Sequence, residues 1–260
     1  MDYYRKIEDR NFADLSWNIP ETRQGALNII GGNSQSFKTE IRITETVSRK
    51  YPIDRLSLVL PDALKTIIPN IPDVIFLPST ESGSFGQSEK LQAVFNSADY
   101  NLVLGDLSKN NITSKALVST IRSTAKPVLI TRDAVDSLIA GHPDDAALNQ
   151  NLVCMASLVQ LQKLLRSLFY PKMLLLSQSL MQVVEVLHKF TLSYPMKIIT
   201  LHNGQILIAE DGRVSDISLE FVDISAMQLW LGNVAADVAI FNLYNPNNFT
   251  DATISALLKS

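Results

Sequence analysis

The sequence predicts one α/β domain, a three-layer sandwich with a mostly parallel central sheet and an antiparallel hairpin at its edge. Three observations carry this. Short runs of Val, Ile and Leu recur along the chain, each bounded by Gly, Pro or Asp. These runs are continuously apolar rather than alternating, as strands buried on both faces require. Stretches long enough for crossover helices separate them, and such alternation implies right-handed connections with helices on both faces of the sheet.

Residues 1–25 are polar and irregular and read as a lead-in segment with room for a short helix; the domain proper spans 26–260. Strands are expected over 26–30, 56–60, 74–77, 102–104, 128–130 and 152–155. Leu117, Val118 and Ile121 lie at helical spacing. So do Leu180, Val183, Val184, Leu187 and Phe190, an i, i+3, i+4, i+7 stripe. The pattern changes after Met196. Residues 197–202 and 205–210 flank Asn203-Gly204, the strongest short hairpin signal available. Asp211-Gly212 offers a second turn before 213–219, and two helices, over 224–241 and 250–258, close the chain. No internal repeat, low-complexity tract or linker is evident.

With 46% hydrophobic and 19% charged residues over 260 positions, a large core is available and global disorder is excluded. A net charge of −3 gives no general attraction to phosphate backbones, so nucleic acid is not an expected partner. The single cysteine, Cys154, cannot form an intramolecular disulfide, which fits a reducing compartment. The first residues, Met1-Asp2-Tyr3-Tyr4-Arg5-Lys6, lack the apolar core of a secretion signal. No apolar run approaches the roughly 20 residues that span a bilayer. The expected address is the cytoplasm, with no membrane partner.

Open parallel sheets bind ligands at the carboxyl ends of their strands. The first such junction is Gly31-Gly32-Asn33-Ser34-Gln35-Ser36-Phe37-Lys38. Its glycines could let a phosphate approach the backbone and offer N–H groups, or could simply form a tight turn with serine caps. Its spacing matches neither the dinucleotide fingerprint nor a P-loop. The second junction is Gly105-Asp106. The third is Thr131-Arg132-Asp133, where Arg132 and Asp133 could touch a polar ligand or cap the next helix.

His142, His188 and His202 show no metal-ligand spacing, so no metal site is expected. His142 sits in a Gly-His-Pro turn, His188 is expected at the surface of a helix, and His202 ends a strand beside the hairpin. Cys154 reads as a small buried residue. Gly83-Ser84-Phe85-Gly86 lacks the frame of a nucleophile elbow.

Taken in order, these junctions resemble the ribokinase-like domain of the ATP/ADP-dependent NAD(P)H-hydrate dehydratases, a family related to carbohydrate kinases. The likeness covers roughly residues 26–258. Leu27-Asn28-Ile29-Ile30-Gly31-Gly32-Asn33 resembles the family's first strand and Gly-Gly-Ser loop. Leu58-Val59-Leu60-Pro61-Asp62-Ala63-Leu64 resembles its second strand and following helix. Lys126-Pro127-Val128-Leu129-Ile130-Thr131-Arg132-Asp133-Ala134-Val135 resembles its Lys-Pro-Val-Val-Leu-Asp-Ala-Asp-Ala-Leu. Residues 206–214 resemble the strand and Asp-Gly turn that precede its active-site helix.

The functional motifs depart from that pattern. Gly105-Asp106-Leu107-Ser108-Lys109 stands for Gly-Pro-Gly-Leu-Gly, and Thr131 for the first acid of Asp-Ala-Asp, while Asp133 keeps the second. Cys154-Met155-Ala156-Ser157-Leu158-Val159 stands for Thr-Pro-His-Pro-Gly-Glu, and His202-Asn203 for Lys-Gly. The Gly-Ser-Gly-Asp anion hole, at the start of the penultimate helix, is matched to Met227-Gln228-Leu229, with Leu229 in the place of the catalytic Asp. Losing a general base costs about 10²–10⁴ in rate, and losing oxyanion-type donors roughly 10²–10³ more. Asp237, eight residues further on, is displaced by about 12 Å along a helix, and Asp223 is expected as the helix N-cap.

The resemblance with its losses implies a non-catalytic relative without catalytic residues that keeps the fold and weak nucleotide binding. ATP or ADP is the implied ligand, at Gly31, Gly32, Asn33, Asp133 and His202. Two alternatives stay open: an active ATP/ADP-dependent NAD(P)H-hydrate dehydratase or small-molecule kinase, and a structural subunit of a homo- or hetero-oligomer.

Overall fold

The structure, a computed structural model, describes residues 2–8, 19–68, 73–87, 89–222 and 224–259. The six expected early strands form as β2 (Ala26–Gly31), β3 (Arg55–Pro61), β4 (Val74–Leu77), β5 (Tyr100–Gly105), β6 (Val128–Thr131) and β7 (Leu152–Met155). β2, β5, β6 and β7 are buried at every residue, which is why their sequences are apolar without alternation.

β8 (Lys197–His202) and β9 (Gln205–Glu210) form the expected hairpin, with His202 opposite Gln205. Asn203 and Gly204 both have positive φ, 49° and 76°, as a two-residue hairpin turn with matching twist demands. Asp211 and Gly212 repeat the device at 47° and 74° and lead into β10 (Arg213–Ser218).

The lead-in is not merely irregular, and no short helix forms in its described part. Tyr4–Ile7 is a strand, β1, which pairs in parallel with β10 at the sheet's edge. The exposed charges of Arg5 and Lys6 suit that position, because charged edges resist pairing with other chains. His188, expected at the surface, is half-buried instead. Its ring stacks on Tyr3 at 3.8 Å and its Nδ1 meets the carbonyl of Gly212, so it helps fasten β1.

The ten strands run in the order β1-β10-β9-β8-β7-β6-β5-β2-β3-β4. Only β9, among the described strands, runs against the others. Helices α2 (Glu89–Ser97), α3 (Asn111–Ser123), α4 (Asp133–Ala140), α5 (Leu158–Ser167) and α6 (Leu180–Ser193) pack on one face. α1 (Lys38–Lys50), α7 (Asn233–Tyr244) and α8 (Phe249–Lys259) pack on the other. No helix among the described residues is long and apolar enough to cross a membrane.

The penultimate helix starts later than the sequence predicts. Residues 224–231 hold only a single 3₁₀ turn, Gln228–Trp230, and α7 begins at Asn233. Gly232, at φ +93°, makes the break; a Cβ there would meet Ile43 at 2.7 Å and Leu104 at 3.0 Å. Asp223 lies outside the described residues. Asp237 serves structure: it is buried and accepts from Lys50 Nζ at 3.1 Å and Tyr51 Oη at 2.7 Å.

Candidate functional site

Strand order reverses between β2 and β5: the chain proceeds outward from β2 to β3 and β4 on one side, and from β5 to β6 and β7 on the other. A crevice at the carboxyl ends belongs at such a switch point. Four of the five sequence-predicted residues meet here, namely Gly31, Gly32 and Asn33 after β2 and Asp133 at the start of α4.

Their contacts are mostly with each other. Gly32, at φ +85°, donates its N–H to Gly105 O at 2.9 Å, so this N–H is not offered to a ligand as the sequence reading supposes. Asn33 Oδ1 accepts from the N–H groups of Gln35 and Ser36 at 2.8 and 3.2 Å. Its Nδ2 donates to the carbonyl of Asp106. Asn33 thereby shapes one loop and ties it to the next. Asp133 Oδ1 accepts the N–H of Asp106 at 2.7 Å. A Cβ on Gly105 would stand 2.1 Å from that same oxygen, so only glycine fits.

His202 is set apart. It ends β8, two strands beyond β6 and thus about 10 Å across the sheet. It is buried, with Nε2 2.8 Å from Gln178 O, where it steadies the loop before α6.

Two further groups belong to this site. Arg132, considered only as a ligand contact or cap, forms an ion pair with Asp106 at 2.8 Å; both have positive φ, 56° and 52°. Glu40 carries the other surprise. It is 0% exposed, and neither carboxyl oxygen has a hydrogen-bond partner. Its Oε1 lies 2.7 Å from where a Gly31 Cβ would stand. Burial first, then repulsion from Asp106, pushes its carboxyl up to about 8. Burial also raises Asp133, opposed by the Asp106 N–H bond. The signal was present in sequence: Glu40 precedes Ile43 and Val47 on the apolar stripe of α1, at i, i+3 and i+7.

The start of α7 closes the site from the opposite face. Gly232 packs on Ile43, one turn along α1 from Glu40, and on Leu104 of β5. No side chain caps this helix, and its first internal bond is Ala236 N–H to Gly232 O. The N–H groups of its first turn therefore have no partner within the helix. The helix thus starts at Asn233, after Gly232, and not at Met227-Gln228-Leu229, where only a single 3₁₀ turn forms. Gly232 is buried and Asn233 is exposed. Leu229 is fully buried and belongs to the core. Among the described residues, no three His, Cys, Asp or Glu side chains are arranged to hold a metal ion.

No family model and no curated protein matches the sequence. Solved structures do. A ribokinase-like superfamily protein from Enterococcus faecalis matches with a TM-score of 0.65 at 14% identity, over 99% of this chain and 86% of that one. The ADP/ATP-dependent NAD(P)H-hydrate dehydratase of Bacillus subtilis, co-crystallized with ATP and Mg²⁺, matches at 0.55 and 12% identity, over 92% and 81%. The pyridoxal kinase of Bacillus subtilis, as its ADP complex, matches at 0.54 and 12%, over 91% and 89%. The chain has the ribokinase-like fold.

Proposed function

We propose that this chain is a cytoplasmic, non-catalytic protein of the ribokinase-like class that retains weak binding of an ADP- or ATP-type nucleotide. The observation that carries the reading is Asn233 as the first residue of α7. An amide cannot accept and return a proton, and removal of a general base costs about 10²–10⁴ in rate. Counted back from this helix start, the family's Gly-Ser-Gly-Asp is set on Trp230-Leu231-Gly232-Asn233, so that Asn233 stands for the acid and Trp230 and Leu231 for Gly and Ser.

The nucleotide's phosphates belong at the first turn of α7, where the N–H groups have no partner within the helix and Asn233 is exposed. They do not belong at the β2 and β5 loops. There the N–H groups of Gly32 and Asp106 are spent, and Asp106 and Asp133 set two carboxyls against one guanidinium, that of Arg132, while Glu40 stays mostly protonated. That imbalance disfavours a bare polyphosphate and makes weak affinity the expected result.

The test has two arms. Calorimetry with ADP, ATP and AMP, with and without Mg²⁺, is expected to give weak saturable binding that a carboxylate at the exposed helix start, Asn233→Asp, weakens by charge repulsion. Turnover of hydrated NADH with ATP or ADP, and ADP release over a set of small alcohols and sugars, is expected to be negligible. A kcat above about 1 s⁻¹ in either assay, within the ordinary enzyme range, would overturn the non-catalytic reading.

A further inference from the structure

Phe169 is 90% exposed, and the backbone holds it there. It is the first residue after the Leu168 C-cap of α5, at φ +50°, a position and conformation normally given to glycine. A bulky residue in that region is an outlier. The turn is nonetheless pinned on both sides: Phe169 N–H donates to Arg166 O at 3.1 Å and Tyr170 N–H to Leu165 O at 2.9 Å. The ring is thus held out in solvent rather than left loose.

Two hollows border it. One, of about 750 Å³, runs between Phe169, Leu148 and Leu192, and Asp144 and Asp145 stand on its rim. Its aromatic base is preformed: Tyr170 and Tyr194 each pack on Phe190, at 5.2 and 5.1 Å between rings, and Tyr194 Oη donates to Leu168 O at 3.3 Å. The other hollow, of about 260 Å³, lies between Phe169 and Met173, with Arg166 and Lys172 on its rim. Leu148, Met173 and Leu192 are each more than half exposed, at 56%, 57% and 64%. Lys189, which also borders the first hollow, is already paired with Glu185, and Asp145 with Arg122. Asp144, Arg166 and Lys172 make no ion pair with any described residue of the chain.

We propose that this face binds a second copy of the same chain about a two-fold axis near Phe169. An isologous contact needs a surface complementary to itself. Here a projecting ring lies beside an apolar hollow wide enough to receive one, and the two hollows it borders carry opposite charge, Asp144 and Asp145 on one and Arg166 and Lys172 on the other. A two-fold rotation sets each Phe169 over its counterpart's hollow and brings Asp144 of one copy toward Arg166 and Lys172 of the other.

The test is sedimentation velocity and light scattering over a concentration series, with Phe169→Gly as the main variant. Glycine relieves the left-handed backbone, so the variant is expected to melt no lower than the parent while losing self-association at least tenfold. Phe169→Asn, which also tolerates this conformation, serves if the glycine variant fails to fold. Asp144→Lys and Arg166→Glu are each expected to weaken the dimer, and the two together to restore it. A parent chain that stays monomeric throughout the series overturns the proposal. So does a dimer indifferent to both Phe169 variants, or a charge swap that fails to restore what each single change lost.

Discussion

Asp133 reaches from the first turn of α4 to the backbone of Asp106, accepting its N–H at 2.7 Å and joining the ends of β5 and β6. The bond closes a chain of contacts, since Asn33 is held by Asp106 O and Gly32 by Gly105 O. Asp133→Ala leaves a part-buried N–H without its acceptor, which costs about 1–3 kcal/mol. Chemical denaturation is expected to show that loss. Hydrogen exchange is expected to show faster opening at Asp106, while the midpoint of β8 is unaffected.

Gly31→Ala is expected to be worse. Its new Cβ would lie 2.6 Å from Gly105 O and 2.7 Å from Glu40 Oε1, and the first is backbone that cannot swing aside. Overpacking of this kind costs about 1–3 kcal/mol, and a thermal melt of the purified variant measures it. Gly204→Ala is the useful contrast: nothing lies within 4 Å of its Cβ, so only the positive φ of 76° resists the change.

Glu40 gives the fold a pH dependence whose sign can be worked out. Its carboxyl sits near 8 in the folded chain against an ordinary 4.5. Below about pH 4.5 both states hold the proton and Glu40 adds no pH-dependent penalty. Between 4.5 and 8 only the folded chain holds it, so folding takes up a proton and Glu40's contribution falls as pH rises. Above 8 the loss levels off. Glu40→Gln is expected to flatten this dependence and to stabilise the protein near pH 7 by roughly 1–3 kcal/mol. Denaturation midpoints of parent and variant at pH 5 and pH 8 test it: the gap between them must widen with pH.

Asn233→Asp is expected to raise stability by about 0.3–1 kcal/mol, because a carboxylate at a helix start opposes the helix dipole. The gain should shrink as salt is added. Turnover is not expected to follow, since Trp230 and Leu231 still occupy the positions of the exposed glycine turn. Measurable hydrated-NADH dehydration by this single variant would mean that the missing acid alone keeps the parent silent.

Much of the architecture was legible because its signals are local. The Asn203-Gly204 turn and the apolar runs of β2, β5, β6 and β7 carry their own evidence. β1 was hidden because Tyr4-Arg5-Lys6-Ile7 becomes a strand only through its partner, Val214–Ile217, more than two hundred residues away. The start of α7 is obscured in the sequence for a different reason. Ser225 and Gln228 form reciprocal capping contacts, with Ser225 N–H to Gln228 Oε1 at 2.6 Å and Gln228 N–H to Ser225 Oγ at 3.3 Å. Those contacts open only one 3₁₀ turn, and Gly232 then restarts the backbone. At the site, the gathering of Gly31, Gly32, Asn33 and Asp133 followed from the strand ends. The inward Glu40 required attention to a charge on an apolar stripe, and the confinement of His202 by Gln178 O came from a loop with no sequence signature.

The place of β1 bears on how the molecule is made. Its parallel partner β10 is among the last strands to leave the ribosome, so the amino end must wait, unpaired, while nearly all of the domain assembles. Until it docks, the edge of β10 is bare, with Val214 and Ile217 beside it. Docking also recruits the Tyr3–His188 stack and the Arg5–Asp251 ion pair at 3.2 Å, both made by residues far along the chain. Closure of the first residues onto the finished sheet would therefore be a late step in biogenesis. A bulky fusion at the amino end would act on that step, lowering the yield of soluble protein before it altered anything at the carboxyl ends of the strands.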